Sequence, residues 1–186
     1  MDRVSITKTA LAIVETDGAE LTLSAIARSL GVTQPALYHH VDGLDDVLRW
    51  VGIAVRSELA ADLAAAAIGR SQADAVRSVA EAWRDFGTRR PAVYKSTDWY
   101  PVQGDPDLEE AVTGVLAVLV GSLRSFDLND TQRADAALAF RSTLHGFTSF
   151  EIGAGNPSLQ SPDTSFASVV ELLITGVRSL ETASTP

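Results

Sequence analysis

The sequence predicts an all-α protein. Three observations carry that prediction. Apolar residues recur at spacings of three and four through most of the chain, the period of a helix with one buried face. No stretch shows the strict alternation of a half-buried strand. The breaks fall at Gly, Pro and side chains that can cap a helix. About nine helices result, without internal repeats. They divide into a three-helix head over residues 1–48, a helical remainder over 49–180 and a flexible tail over 181–186.

The bulk properties set further bounds. With 46% hydrophobic residues in 186, the chain can bury a core. It has no cysteine, so neither a disulfide nor a thiolate metal site is available, and no cofactor or metal is expected. The start, MDRVSITKTALAIV, lacks the basic flank and long apolar run of a signal peptide. No run of 18 apolar residues occurs, and the richest, 112–120, is interrupted at Thr113 and Gly114. These features give the expectation of a cytoplasmic protein with no membrane partner.

The first helix is expected over residues 5–16, with Ile6, Ala10, Ile13 and Val14 on one face and an end near Asp17-Gly18. Arg3 and Lys8 lie at its start and polar side, where they are either phosphate contacts or solvated surface charges. Thr22 can cap a second helix from Leu23 to Leu30, with Leu23, Ile26, Ala27 and Leu30 inward. Gly31 can end it in the left-handed region without a Cβ penalty. Thr33 is read as the cap of a short third helix, with Pro35 inside its first turn. Two short helices joined by a tight Gly turn are the unit that lays its second helix in a DNA major groove.

Asp42 with Asp45 three residues on resembles a capping box for a long fourth helix over 43–67. Its stripe is Leu44, Val47, Leu48, Val51, Val55, Leu59 and Leu63. Further helices are expected over 72–87, over a short aromatic stretch 92–99, over 107–124, over 131–153 with Asp130 as cap, and from Asp163 onward. Near-continuous apolarity over 107–124 suggests burial on several sides.

Charge bears on function. The net charge is −9, which by itself argues against a nucleic-acid binder. Up to Arg56, however, five basic residues (Arg3, Lys8, Arg28, Arg49, Arg56) stand against seven acidic ones, so the acid is concentrated farther on. Any DNA site must rest on local placement of a few cations.

The segment LTLSAIARSLGVTQPALYHHVDGLDDVL carries Ala-x-x-Leu-Gly-Val, then Pro-Ala-Leu-Tyr-x-His, then an aliphatic pair. With these motifs, residues 6–47 resemble the N-terminal domain of the TetR family of transcriptional repressors. The later Leu144-His145-Gly146-Phe147, followed by Glu151-Ile152, is similar to the family branch with a Trp-His-Gly-like element. The resemblance implies a homodimer on a two-fold symmetric operator, released by a small, largely apolar molecule. It implies a DNA-facing surface of Thr33, Gln34, Pro35, Ala36, Tyr38, His39 and His40, aided by Arg28 and by Arg3 and Lys8. Gln34 offers both a donor and an acceptor and suits adenine; Ala36 suits a thymine methyl; Tyr38 and His40 suit phosphates. Protonation of His39 or His40 beside a phosphate is expected to strengthen binding at lower pH. Leu44 stands where the family commonly has Lys, beside Asp42, Asp45 and Asp46. That departure predicts modest affinity, and Arg28 has Glu20 and Asp42 as alternative partners.

For the effector, the candidates are Trp83, Phe86, Tyr94, Trp99, Tyr100, Phe140, Arg141 and His145, as amphipathic lining of a mostly apolar pocket. Ordinary core packing accounts for the same aromatics equally well. Arg141 has a second reading as partner of the Glu151 region. The dimer seam is assigned to Leu144, Phe147, Phe166, Val170, Leu173 and Val177 on the last two long helices, with burial inside one subunit as the other reading. Ligand in the second domain is expected to tilt the fourth helix and change the spacing of the recognition helices. No nucleophile, phosphate loop or metalloprotease motif points to an enzyme. The competing reading is a helical protein-interaction module of the same fold with weak or lost operator binding.

Overall fold

Capping, packing and charge pairing account for the helices seen in a computed structural model, which describes residues 1–16, 20–153 and 161–182. Among these residues there are nine α-helices and no strand: α1 Arg3–Glu15, α2 Leu23–Leu30, α3 Gln34–Leu37, α4 Leu44–Ala67, α5 Gln72–Arg89, α6 Pro91–Lys95, α7 Pro106–Ser122, α8 Asp130–Ile152 and α9 Pro162–Thr182. A 3-10 turn, Ser96–Asp98, follows α6. The expected end of the first helix at Asp17-Gly18 lies outside the described residues; α1 itself stops at Glu15. α9 runs through Thr182, two residues into the segment read as tail.

The chain forms two compact units. One comprises Met1–Glu58 and Arg90–Val112; the other comprises Leu59–Arg89 and the described residues of Thr113–Pro186. The unit that holds the head therefore takes in residues well beyond position 48. α4 and α7 each contribute to both units.

In the first unit, α1 begins two residues earlier than its apolar face suggests. The Asp2 carboxylate accepts the Ser5 N–H at 2.8 Å, and Ser5 Oγ accepts the Asp2 N–H at 3.1 Å. This reciprocal box satisfies two donors that a helix start leaves free. α1 buries Ile6, Ala10 and Val14 and packs on α2 and α6. Thr22 Oγ1 accepts the Ala25 N–H at 3.1 Å, the expected cap of α2. α2 ends at Gly31 with φ +69°, and the Val32 N–H reaches back to the Ala27 carbonyl at 3.0 Å.

Two caps of the first unit differ from expectation. Thr33 occupies the cap position of α3 with extended backbone, yet its side chain makes no capping bond. At α4 the Asp46 carboxylate accepts the Asp42 N–H at 2.8 Å, so the acid that closes this corner is Asp46 and not Asp45. The helix starts at Leu44, so Asp46 is its third residue, and its bond reaches one residue past the cap position, to Asp42.

The inner stripe of α4 in this unit is Val47, Val51 and Val55, all fully buried. Arg56 is buried beside it and donates to the Gly52 carbonyl at 3.1 Å and the Thr97 carbonyl at 2.6 Å. Gly52 makes room for that side chain. A Cβ there would lie 3.0 Å from Arg56 Nη1 and 3.3 Å from Leu108 Cδ2. Asp105 caps the start of α7 by accepting the Asp107 and Leu108 N–H groups, each at 3.2 Å, and also receives Arg49.

In the second unit α5, α8 and α9 pack against one another around Val79, Trp83, Phe86, Phe140, Leu144 and Ile174. α8 is capped by Asn129 in a reciprocal pair with Gln132, both bonds 2.9 Å, and not by Asp130, which begins the helix. α7 corrects a second expectation. Within the chain it buries one stripe, Leu108, Val115 and Leu119, while Val112, Leu116 and Val120 stay half-buried. Apolar composition alone does not decide how many sides of a helix find neighbours.

Gly31→Ala is expected to lower stability by ~1–2 kcal/mol, the cost of an L-residue in the left-handed region. Nothing lies within 4 Å of a Cβ placed there, so the cost is conformational and not steric. Urea unfolding measures it; an unchanged midpoint at unchanged slope would contradict this account of the turn.

Candidate nucleic-acid interface

The third helix has four residues and one anchor. Leu37 is fully buried, whereas Thr33, Gln34, Pro35, Tyr38, His39 and His40 are exposed and Ala36 is half-exposed. Successive backbone bonds hold this short coil. The Ala36 N–H donates to the Thr33 carbonyl at 3.0 Å, and the His40 N–H donates to the Leu37 carbonyl at 2.8 Å. Tyr38 is 52% exposed although it is a large ring with only a hydroxyl to solvate. A polar, aromatic-bearing surface that does not serve the fold is what base and phosphate contact requires. One bond spans the two helices of the motif: Ser24 Oγ donates to Gln34 Oε1 at 2.8 Å. Sequence reading passed over Ser24, because a pair ten residues apart on an exposed surface leaves no periodic signal.

The cations are distributed differently from expectation. Arg28 is exposed in the last turn of α2 and makes no ion pair among the described residues, so neither Glu20 nor Asp42 takes it. Arg3 is not a free arm; its guanidinium lies over the Trp50 ring, 5.2 Å from the centroid. Lys8 lines the same groove of α1 and α4, with Val4, Leu11, Trp50 and Ile53. The structure thus brings residues 33–40 together and places Arg3 and Lys8 along α4. The remaining arginines of this unit serve internal pairs. Arg49 holds Asp105 at 2.9 Å and Asp107 at 2.5 Å, and Arg90 holds Glu15 at 2.6 Å and Glu58 at 2.7 Å. The Arg49 guanidinium keeps the Asp105 carboxyl below the usual carboxylate range, with the Leu108 N–H adding to the effect.

The effector candidates fall into both units. Tyr94 is buried, Tyr100 half-buried and Trp99 exposed in the first; Trp83, Phe86 and Phe140 are buried and Arg141 and His145 half-buried in the second. Trp83, Phe86, Tyr94 and Phe140, each 2–3% exposed, are packing residues of the structure as it stands. Glu151 pairs with Arg84, at 2.6 and 2.7 Å, and not with Arg141. These bonds, joined by one to Asp163, hold the Arg84 guanidinium above its usual range. Thr148 is fully buried on α8, and its hydroxyl has no hydrogen-bond partner among the described residues.

Of the seam candidates, Leu144, Phe166, Val170 and Val177 are buried within the chain itself. Phe147 is half-buried and meets the Phe166 ring edge-on at 5.1 Å. Leu173 and Val177 line an open apolar groove of α8 and α9 with Ala139, Thr143, Leu172 and Gly176. Leu172 is 72% exposed, a large apolar side chain without cover in the single chain.

Comparison with known proteins agrees with this layout. Residues 76–173 match the family model described as tetracyclin repressor-like, C-terminal domain. A helix-turn-helix-type transcriptional regulator of Mycobacterium tuberculosis is 36% identical over 154 residues, 82% of this chain and 71% of that protein. The chain belongs to the TetR family of helix-turn-helix transcriptional regulators. Among TetR-type folds of known structure, a regulator from Streptomyces coelicolor superposes with a TM-score of 0.72 at 17% identity, over 97% of this chain and 99% of that one. BioQ, solved with its natural double-stranded DNA operator, gives 0.72 at 21% identity, over 96% and 99%. As a TetR-family member the chain is a DNA-binding regulator, and its head is the α2–α3 motif described above. No described helix is long and apolar enough to cross a membrane.

The Asp105 pair gives the first compact unit an acid-side dependence. A carboxyl depressed on folding adds stability that is present above its unfolded value, near 3.8, and lost as pH falls through the folded value. Asp105→Asn is therefore expected to flatten the rise of stability with pH between about pH 2 and 5. Urea midpoints across that range check it; superimposable curves for the two proteins would remove the pair from the acid response.

Proposed function

We propose that the protein is a homodimeric, effector-responsive repressor acting in the cytoplasm. Two copies of the 33–40 face read the half-sites of a two-fold symmetric operator, and a small, mainly apolar molecule releases the protein. The observation that carries the DNA reading is the α3 surface: one buried leucine beneath a set of exposed polar and aromatic side chains. Thr33 supports it, since its hydroxyl is not engaged in the cap it occupies. The BioQ structure, in which a protein of this fold holds its operator, supports the mode of docking.

Pairing of two copies has its support in the open groove of Leu172, Leu173, Gly176 and Val177. In a C2 dimer the same patch on each copy covers the other. An effector that binds the DNA-incompetent form more tightly weakens operator affinity by the same factor that DNA weakens effector affinity. Support for an effector anchored in the second unit comes from Thr148, whose buried hydroxyl has a bond still to make.

The engagement of Arg49 and Arg90 in internal pairs favours a second reading, a module that keeps the fold with weak operator affinity. Selection from a random duplex pool at moderate salt separates the two. A two-fold symmetric site is expected, with an affinity whose logarithm falls by only ~3–4 per decade of salt for four or so phosphate contacts. Folded dimer that recovers no site supports the interaction module instead. Leu173→Arg is expected to shift the protein to monomer in sedimentation velocity and to abolish that site selection. A dimeric Leu173→Arg variant would place the seam elsewhere.

A further inference from the structure

We infer that Ser24 is a specificity-positioning residue that decides which end of the Gln34 amide meets the DNA. The inference rests on the reading of residues 33–40 as the DNA face. Gln34 is the first residue of α3, and Ser24 is the second residue of α2. Both are exposed, and neither side chain is needed for the core. Their one bond joins Ser24 Oγ to Gln34 Oε1 at 2.8 Å. It tethers the amide to α2 by its oxygen. The Nε2 group then has no partner among the described residues and is the end left for the groove.

The chemistry of the base edges gives this tether a consequence. A glutamine free to turn over pairs with adenine by accepting from N6 and donating to N7. That pairing needs oxygen and nitrogen together on one edge, and the Ser24 bond takes one of the two lone pairs of that oxygen and holds it towards α2. An amide held by its oxygen leads with two N–H donors, and these suit acceptor positions: guanine O6 and N7, or thymine O4. Ser24 thereby biases Gln34 towards guanine or thymine and against adenine. It does so without touching a base.

The test is selection from a random duplex pool with the wild-type dimer and with Gln34→Ala, Ser24→Ala and Ser24→Thr. Gln34→Ala identifies the symmetric position that Gln34 reads, as the one whose preference vanishes. Wild type is expected to favour guanine or thymine there. Ser24→Ala is expected to admit adenine at that position, with discrimination reduced about tenfold, and to leave the other positions unchanged. Ser24→Thr keeps a hydroxyl and is expected to restore the wild-type preference; a change in Ser24→Ala confined to that one base position is what a merely structural role for Ser24 does not predict. Wild type that selects no site overturns the DNA reading and this inference with it. A wild-type site whose preferences are the same in Ser24→Ala, or show adenine favoured by wild type, overturns the inference alone. A wild-type site that Gln34→Ala leaves unchanged at every position overturns it too.

Discussion

A helix of four residues has almost no hydrogen-bond ladder of its own, and the exposed side chains of residues 33–40 lie on one or directly beside it. Nucleating a turn fixes several dihedrals for a single bond, so such a piece does not persist in water unaided. What holds α3 is the complete burial of Leu37 and the corner before it, where Gly31 turns the backbone through the left-handed region. α2 in turn is set by the Thr22 cap and by Leu23, Ile26 and Ala27, which pack it onto α1. The exposed side chains of residues 33–40 thus owe their positions to buried ones. Few of them are committed elsewhere, which leaves the face adaptable in chemistry and fixed in place.

Charge in the first unit follows a different logic from the count of residues. Arg49 and Arg56 count in the sequence among the few cations of the N-terminal part, and Arg90 joins them in the same compact unit. In the structure each is a tie: Arg49 to the capping carboxylate of α7, Arg56 to two backbone carbonyls, Arg90 to Glu15 and Glu58. The guanidinium fork suits this work, because it can serve two acceptors in one plane. Cations that hold a fold together are not available to release counterions from DNA. On the proposed reading, these three arginines therefore add nothing to phosphate contact, which is left to cations such as Arg28.

Local signals carried most of the fold. Helical periodicity, the Thr22 cap, the Gly31 turn and Pro35 at the start of α3 are all short-range, and the helices they announce are present. What escaped was either a choice between adjacent polar residues or a contact across the chain. Asp42 and Asp45 were as plausible as Asp46, and Asp130 as Asn129, until the start of each helix was fixed to the residue. The Asp2–Ser5 box was hidden because the apolar face of α1 begins at Ile6. The bonds from Arg49 to Asp105 and from Arg84 to Glu151 span 56 and 67 residues, and no local pattern encodes them. The aromatics did not reveal in sequence which are buried, as Trp83 and Tyr94 are, and which are exposed, as Trp99 is. Tyr94 and Trp83 look alike in sequence and belong to different units. On α8 and α9, half the apolar residues face inward, which a helical wheel without its partners cannot say.

Gly52 and Arg56 lie one turn apart, and their geometry makes them a single heritable character. The glycine carbonyl receives the guanidinium, and the missing side chain is the space that the guanidinium fills. Alanine at position 52 would press on the ends of the Arg56 and Leu108 side chains, which must then give by a few tenths of an ångström, and without Arg56 a main reason for glycine in the middle of a helix is gone. Drift at either site is therefore conditional on the other. The pair should be visible as covariation among relatives long before either residue would be suspected from its own variability.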